Sequence, residues 1–89
     1  MPVISMFYGI IIYMYYYDNI KHKLPHIHIE YGERKAIITV KDGKIIDGKF
    51  PRNKLKLVHA WLEIHRDELI ADWTLAVSGE KLFKIEPLK

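Results

Sequence analysis

His26 and His28 stand two positions apart in the run Pro25-His26-Ile27-His28-Ile29-Glu30. On an extended strand, side chains two apart project from the same face about 6–7 Å from each other. His22, in the polar stretch just before, can join them. Three imidazoles with an open position suit zinc or a similar divalent ion, so His22, His26 and His28 are the candidate metal ligands. No other cofactor is expected. The second chemistry is proton transfer. A histidine near its ordinary pKa of about 6.5 exchanges a proton at neutral pH. His26 or His28, with Lys35 or Lys23, would then cleave RNA without a metal, using the 2′-hydroxyl as internal nucleophile. The plain alternative is a pair of hydrogen-bonded histidines on an open sheet face. His65 lies inside an apolar helical stripe. It is expected to bond to a carboxylate or carbonyl and fix a helix break, and it becomes a third catalytic candidate only if the helix covers the His26/His28 face. His59 is expected to be exposed and without a role. No glycine-rich phosphate loop, Ser-His-Asp order, helical metal motif or helix-turn-helix accompanies these residues.

The elements that must position them follow from two turns. Gly32-Glu33 is a two-residue hairpin loop with Gly first, the type II′ pattern. Closing it with Tyr31 and Arg34 sets Glu30 opposite Lys35, Ile29 opposite Ala36, His28 opposite Ile37, Ile27 opposite Ile38 and His26 opposite Thr39. Ile27, Ile29, Ala36, Ile38 and Val40 then share the core face, and His26, His28, Glu30 and Lys35 the other. A three-residue Lys41-Asp42-Gly43 loop, with Gly43 left-handed in a bulge, puts Ile46 opposite Ile38 and Gly48 opposite Ala36. Asp47 turns outward, avoiding a lone buried carboxylate that would cost several kcal/mol.

Val3 to Tyr17 carries no charge and is rich in Ile and Tyr. It reads as one central strand from Phe7 to Tyr17, with Gly9 at a bulge or close backbone approach and Phe7, Tyr13, Tyr15 and Tyr17 on one face. It is short of the roughly 20 residues needed to span a bilayer, and no basic residue precedes it as in a signal peptide. After Phe50-Pro51 the period changes. Leu55, Val58, Leu62, His65, Leu69, Trp73 and Ala76 recur at steps of three and four, one face of a helix from Arg52 to Ser78. Such a helix would be about 40 Å long, so a kink or break is expected near His65-Arg66-Asp67. Gly79 is the stop. Lys81 to Glu86 reads as a final strand with Phe83 and Ile85 inward.

The chain of 89 residues allows one domain, residues 1–89, with one modest core. Without cysteine there is no disulfide frame, thiolate site or thiol nucleophile, which suits a cytoplasmic location. The net charge of +3 is uneven. Lys41 to Lys56 holds six basic and two acidic residues, and His59 to Glu80 holds one arginine against five carboxylates. A basic turn beside an acidic helix can steer a charged partner, and nucleic acid remains among the candidate partners. The expected fold is α+β in two layers. A mostly antiparallel sheet of four or five strands carries a long kinked or broken helix on one face, in the order β-β-β-β-α-(α)-β.

Several segments together resemble a family of small prokaryotic proteins, domain of unknown function 4160. They are Ile4-Ser5, Phe7-Tyr8-Gly9-Ile10, Met14-Tyr15, Pro25-His26-Ile27-His28, Tyr31-Gly32, Asp42-Gly43, Phe50-Pro51, Val58 to Trp61, His65-Arg66-Asp67-Glu68-Leu69, Trp73 and Ile85-Glu86-Pro87-Leu88. The family pattern has two prolines before its first histidine, and Leu24 replaces one here. The Tyr15-Tyr16-Tyr17 run is local to this chain. No established activity comes with the family. The resemblance implies a protein-binding or regulatory role with a small protein encoded alongside, an arrangement similar to toxin–antitoxin pairs. Together with the tyrosine-rich first strand, it makes a homo-oligomer or such a neighbour the expected partner, with no membrane.

Overall fold

Strands that follow one another in this chain also pair with one another, so the sheet is a meander. The computed structural model describes residues 2–20 and 22–89. It places β1 at Val3–Phe7, β2 at Ile10–Tyr13, β3 at His26–Tyr31, β4 at Arg34–Thr39 and β5 at Ile45–Gly48, followed by the helix α1 at Arg52–Val77. The sheet is antiparallel throughout, in the order β1-β2-β3-β4-β5. Phe7, Ile10, Ile12, Ile27, Ile29, Ala36 and Ile38 form the sheet half of the core. Val58, Trp61, Leu62, Leu69, Trp73 and Ala76 supply the helix half.

The β3–β4 register is the expected one, from His26 opposite Thr39 to Tyr31 opposite Arg34. Glu30 and Lys35 approach to 3.8 Å, a cross-strand pair worth roughly 0.2–1 kcal/mol. In the next hairpin Gly48 faces Ala36 and Asp47 is exposed beside Ile37, also as expected. The route differs. Ile45, not Ile46, lies opposite Ile38, and an irregularity between Ile37 and Ile38 absorbs the extra residue. The turn begins one residue early because the backbone of Val40 is engaged elsewhere. Its N–H donates to Pro25 O at 3.0 Å, and its carbonyl accepts from Arg66 Nε at 3.0 Å.

Two expected elements are corrected. The uncharged run at the start is a hairpin, not one strand. Tyr8 and Gly9, with φ of 50° and 79°, make the tight turn between β1 and β2. Two successive positive φ values belong to type I′, which matches the right-handed twist of the flanking strands. The turn also breaks the expected aromatic stripe. Phe7 faces the helix and lies 5.5 Å from Trp61, whereas Tyr13 pairs with His28 on the opposite face. The expected final strand is absent, so the order is β-β-β-β-β-α. Residues 80–89 form a strap in which Ile85 N–H reaches Ile4 O at 2.8 Å. Two more of its backbone groups turn to side chains: Trp61 Nε1–H donates to Glu86 O at 2.7 Å, and Phe83 N–H to Asp72 Oδ1 at 3.0 Å. Phe83, expected inward, is exposed, while Ile85 is buried.

A straight helix of 26 residues would be about 39 Å long, more than the 33 Å longest extent of the molecule. The helix kinks at His65, whose φ of −112° and ψ of 20° leave the helical region. Its second half can then follow the twisted sheet toward the loop before β3. Among the described residues, no helix is long and apolar enough to cross a membrane.

Candidate functional site

His28 extends from the open face of β3 and is clasped by aromatic rings. Tyr13, opposite it on β2, stacks on its imidazole at 5.2 Å and 19°, and Tyr15 meets it edge-on at 4.7 Å. His26 starts the same strand on the same face. Yet it is fully buried, because Trp73 closes on its ring at 4.7 Å and the loop before β3 folds over it.

That loop brings in a residue that spacing did not offer. Asp18 Oδ2 lies 2.8 Å from His26 Nε2 and 2.7 Å from His28 Nε2. The carboxylate is delivered by its neighbour. Tyr17, at φ 56°, donates its N–H to the carbonyl of Ala76 at 3.0 Å. This adds a second bond to a C-terminal carbonyl of α1 that also accepts from the Gly79 N–H at 3.1 Å, and it turns the next residue toward the histidines. Asp18 is the only acidic residue before Glu30, the one mark that sets it apart in the sequence. His22 lies edge-on to His26 at 5.5 Å, beside the cluster, but it is Asp18, not His22, whose donor atom falls within 4.8 Å of those of His26 and His28.

The groups shape one another electrostatically. Burial pushes the Asp18 carboxyl up, but hydrogen bonds from His28 and then His26 outweigh it and hold it below the usual carboxylate range. Burial depresses His28, and the bond to Asp18 offsets this only in part. Burial, with Tyr15 and Glu30 nearby, pushes the Tyr13 hydroxyl up to about 12, so it stays neutral beside His28.

His65 does not join this cluster. Its Nδ1 donates to Glu68 Oε1 at 2.6 Å and its ring lies 5.5 Å from Trp61, at the kink it was expected to mark. The first half of α1, which carries it, covers the other sheet face, away from His26 and His28. His59 is exposed but not idle: its Nε2–H donates to Gly43 O at 2.9 Å and ties α1 to the β4–β5 turn.

A family model for a domain of unknown function, DUF4160, matches residues 9–74. The chain belongs to that family. The match spans Asp18, His26, His28 and His65 and ends at the turn of α1 that carries Trp73. No curated protein and no solved structure matches the chain.

This DUF4160 chain carries a second recess, between the β4–β5 turn and the second half of α1. It is a groove of about 510 Å³ whose apolar lining includes Leu24, Pro25, Ile46 and Ile70. Lys41, Lys44 and Arg66 also line it with one carboxylate, Asp42, and Arg66 is itself paired with Glu63 at 2.9 Å. Asp42 already accepts from the Thr39 hydroxyl and the Lys44 N–H. Leu24 is 66% exposed and Ile70 40%, a large apolar surface left without intramolecular cover.

Proposed function

We propose that this protein is a regulatory protein-binding module, one member of a cytoplasmic two-protein unit similar to toxin–antitoxin pairs. Its docking site is the groove of Leu24, Ile46 and Ile70. The observation that carries this reading is the combination there of uncovered apolar side chains with two lysines, an arginine paired with Glu63, and one engaged carboxylate. An acidic amphipathic segment of a small neighbour-encoded protein is the complementary occupant. Its apolar residues cover Leu24 and Ile70, and its carboxylates meet Lys41 and Lys44. A second copy of this chain fits less well. A two-fold contact centred on the groove would set these cations against themselves. Leu24, where the family pattern has proline, adds apolar area at this point.

Measuring molecular mass alone and with the neighbour-encoded protein tests the reading. A one-to-one complex, lost in Leu24→Asp and Ile70→Glu, supports it. A strict monomer that ignores that neighbour contradicts it.

The ribonuclease reading keeps one supporting observation. His28 and Lys35 line the same shallow depression on the open sheet face, with Tyr13, Tyr15 and Asp47. His28 would take the 2′-hydroxyl proton and Lys35 face the phosphate. His26, fully buried, is not placed to touch a substrate. RNA cleavage that persists unchanged in His28→Ala rejects this second reading.

A further inference from the structure

His26 has both ring nitrogens facing acceptors. Its Nδ1 lies 2.8 Å from Leu24 O, a carbonyl that only accepts, so Nδ1 carries hydrogen and donates. Its Nε2 lies 2.8 Å from Asp18 Oδ2. A neutral ring with its hydrogen on Nδ1 therefore aims a lone pair at a carboxylate oxygen, inside a fully buried position. Either a second proton or a cation must stand between them. The same Oδ2 lies 2.7 Å from His28 Nε2, and one donor atom from each of the three residues falls within 4.8 Å of the others. Beside them, His22 Nε2 is buried without a hydrogen-bond partner among the described residues.

We propose that Asp18, His26 and His28 form a binding site for a divalent transition-metal ion of the zinc class, with His22 the fourth donor. A cation there converts the opposition of lone pair and carboxylate into coordination by both. It also gives His22 Nε2 the partner it lacks. Imidazole and carboxylate donors without thiolate suit Zn²⁺ and Co²⁺, whereas Mg²⁺ and Ca²⁺ call for oxygen alone.

The surroundings are those of a supported site. The Nδ1–H bond to Leu24 O fixes the His26 tautomer that leaves Nε2 free to ligate, the outer-shell contact that metal-bound histidines carry. Trp73 holds the His26 ring, and Tyr13 and Tyr15 hold that of His28. Bonds of about 2.0–2.1 Å in a tetrahedron set donor atoms about 3.3 Å apart. On loading, Asp18 Oδ2 therefore draws back by roughly half an ångström from each imidazole, as its place on a loop allows, and His22, whose donor atoms lie outside the 4.8 Å group, swings in from beside His26.

The test uses the full chain, stripped with chelator and titrated with Zn²⁺ against a competing chromogenic chelator. One ion per chain is expected. Because His26→Ala opens a buried cavity, the deciding variants are Asp18→Asn and His28→Gln, which preserve volume. Each is expected to weaken binding by more than about 100-fold, beyond the 10–100-fold typical of outer-shell changes. His22→Ala should weaken it less, and His59→Ala and His65→Ala not at all. Co²⁺ gives a second readout, since four-coordinate nitrogen–oxygen sites absorb visible light far more strongly than six-coordinate hydrated cobalt. The proposal is overturned if the unaltered protein binds Zn²⁺ no tighter than Asp18→Asn or His28→Gln. It is equally overturned if His65→Ala loses as much, or if the Co²⁺ spectrum is that of the hydrated ion.

Discussion

His26 Nε2 sits 2.8 Å from Asp18 Oδ2, joining the buried start of β3 to a loop residue eight positions earlier. One carboxylate oxygen thereby holds two imidazoles and pins the loop across the end of the sheet. In chelator, Asp18→Asn should lower unfolding stability by about 1.5–3 kcal/mol, the range for hydrogen bonds to a charged group. His28→Gln shares that oxygen, so the double variant should cost less than the sum of the singles, with a coupling of about 0.5–3 kcal/mol. Urea unfolding of the four proteins measures this, and strict additivity would speak against a shared carboxylate.

Gly48 and Gly32 both have positive φ, 82° and 59°, but only one is crowded. A Cβ on Gly48 would lie 2.3 Å from Lys35 O and 2.9 Å from Ala36 Cα, backbone atoms that cannot step aside. A Cβ on Gly32 meets nothing within 4 Å. Gly32→Ala should cost about 1–2 kcal/mol, the left-handed penalty alone. Gly48→Ala should cost clearly more, because the β4–β5 pairing must also shift. Thermal unfolding compares them, and equal losses would contradict the bulged register that brings Gly48 against β4.

Asp72 is buried on α1, and its Oδ2 has no hydrogen-bond partner among the described residues. Burial pushes its carboxyl above the usual value of 3.8, the Phe83 N–H opposes this, and Glu68 adds to it. Well below 3.8 the group is neutral in both states and costs nothing. As pH rises through the unfolded and then the folded value, the unfolded chain ionises first and the native state loses ground. Asp72→Asn keeps an acceptor for Phe83 and removes this loss. It should therefore raise stability by about 1 kcal/mol at pH 7 and change little near pH 3. Urea midpoints at the two pH values test the sign, and a gain confined to low pH would contradict it.

Much of the frame could be read before any coordinates. Gly32-Glu33 between alternating segments was enough for the β3–β4 register, because a one-residue slip would have turned Ile27 and Ile29 outward. The three-and-four spacing from Leu55 to Ala76 located the helix, and its excess length located the kink at His65. The first hairpin was hidden because Val3 to Tyr17 is apolar on both parities and Tyr8-Gly9 lacks the Asn or Asp that marks a type I′ turn. The last strand failed because Trp61 and Asp72 capture the backbone groups that a ladder would use. His26 and His28 were placed on the correct face, but the burial of His26 depends on Trp73, 47 positions later in the sequence. Asp18 was missed for a similar reason. Its place is set by Tyr17 on the far end of α1, a contact no local spacing encodes.

The groove carries the functional conclusion, and its exposed residues can be altered without disturbing the core. Leu24→Asp should leave stability within about 0.5 kcal/mol, as is usual for surface changes, while abolishing partner binding. Loss of the fold in that variant, seen by far-ultraviolet circular dichroism, would contradict the groove's standing as a free surface.

The most direct measurement is an amide NMR titration of the labelled protein with its unlabelled neighbour-encoded partner. Signals of Leu24, Thr39, Lys41, Asp42, Lys44, Ile46, Arg66 and Ile70 should shift together and saturate at one equivalent, with the β1 edge and residues 80–89 unmoved. No shifts at all, or shifts centred on β1 and the strap, would contradict the docking groove.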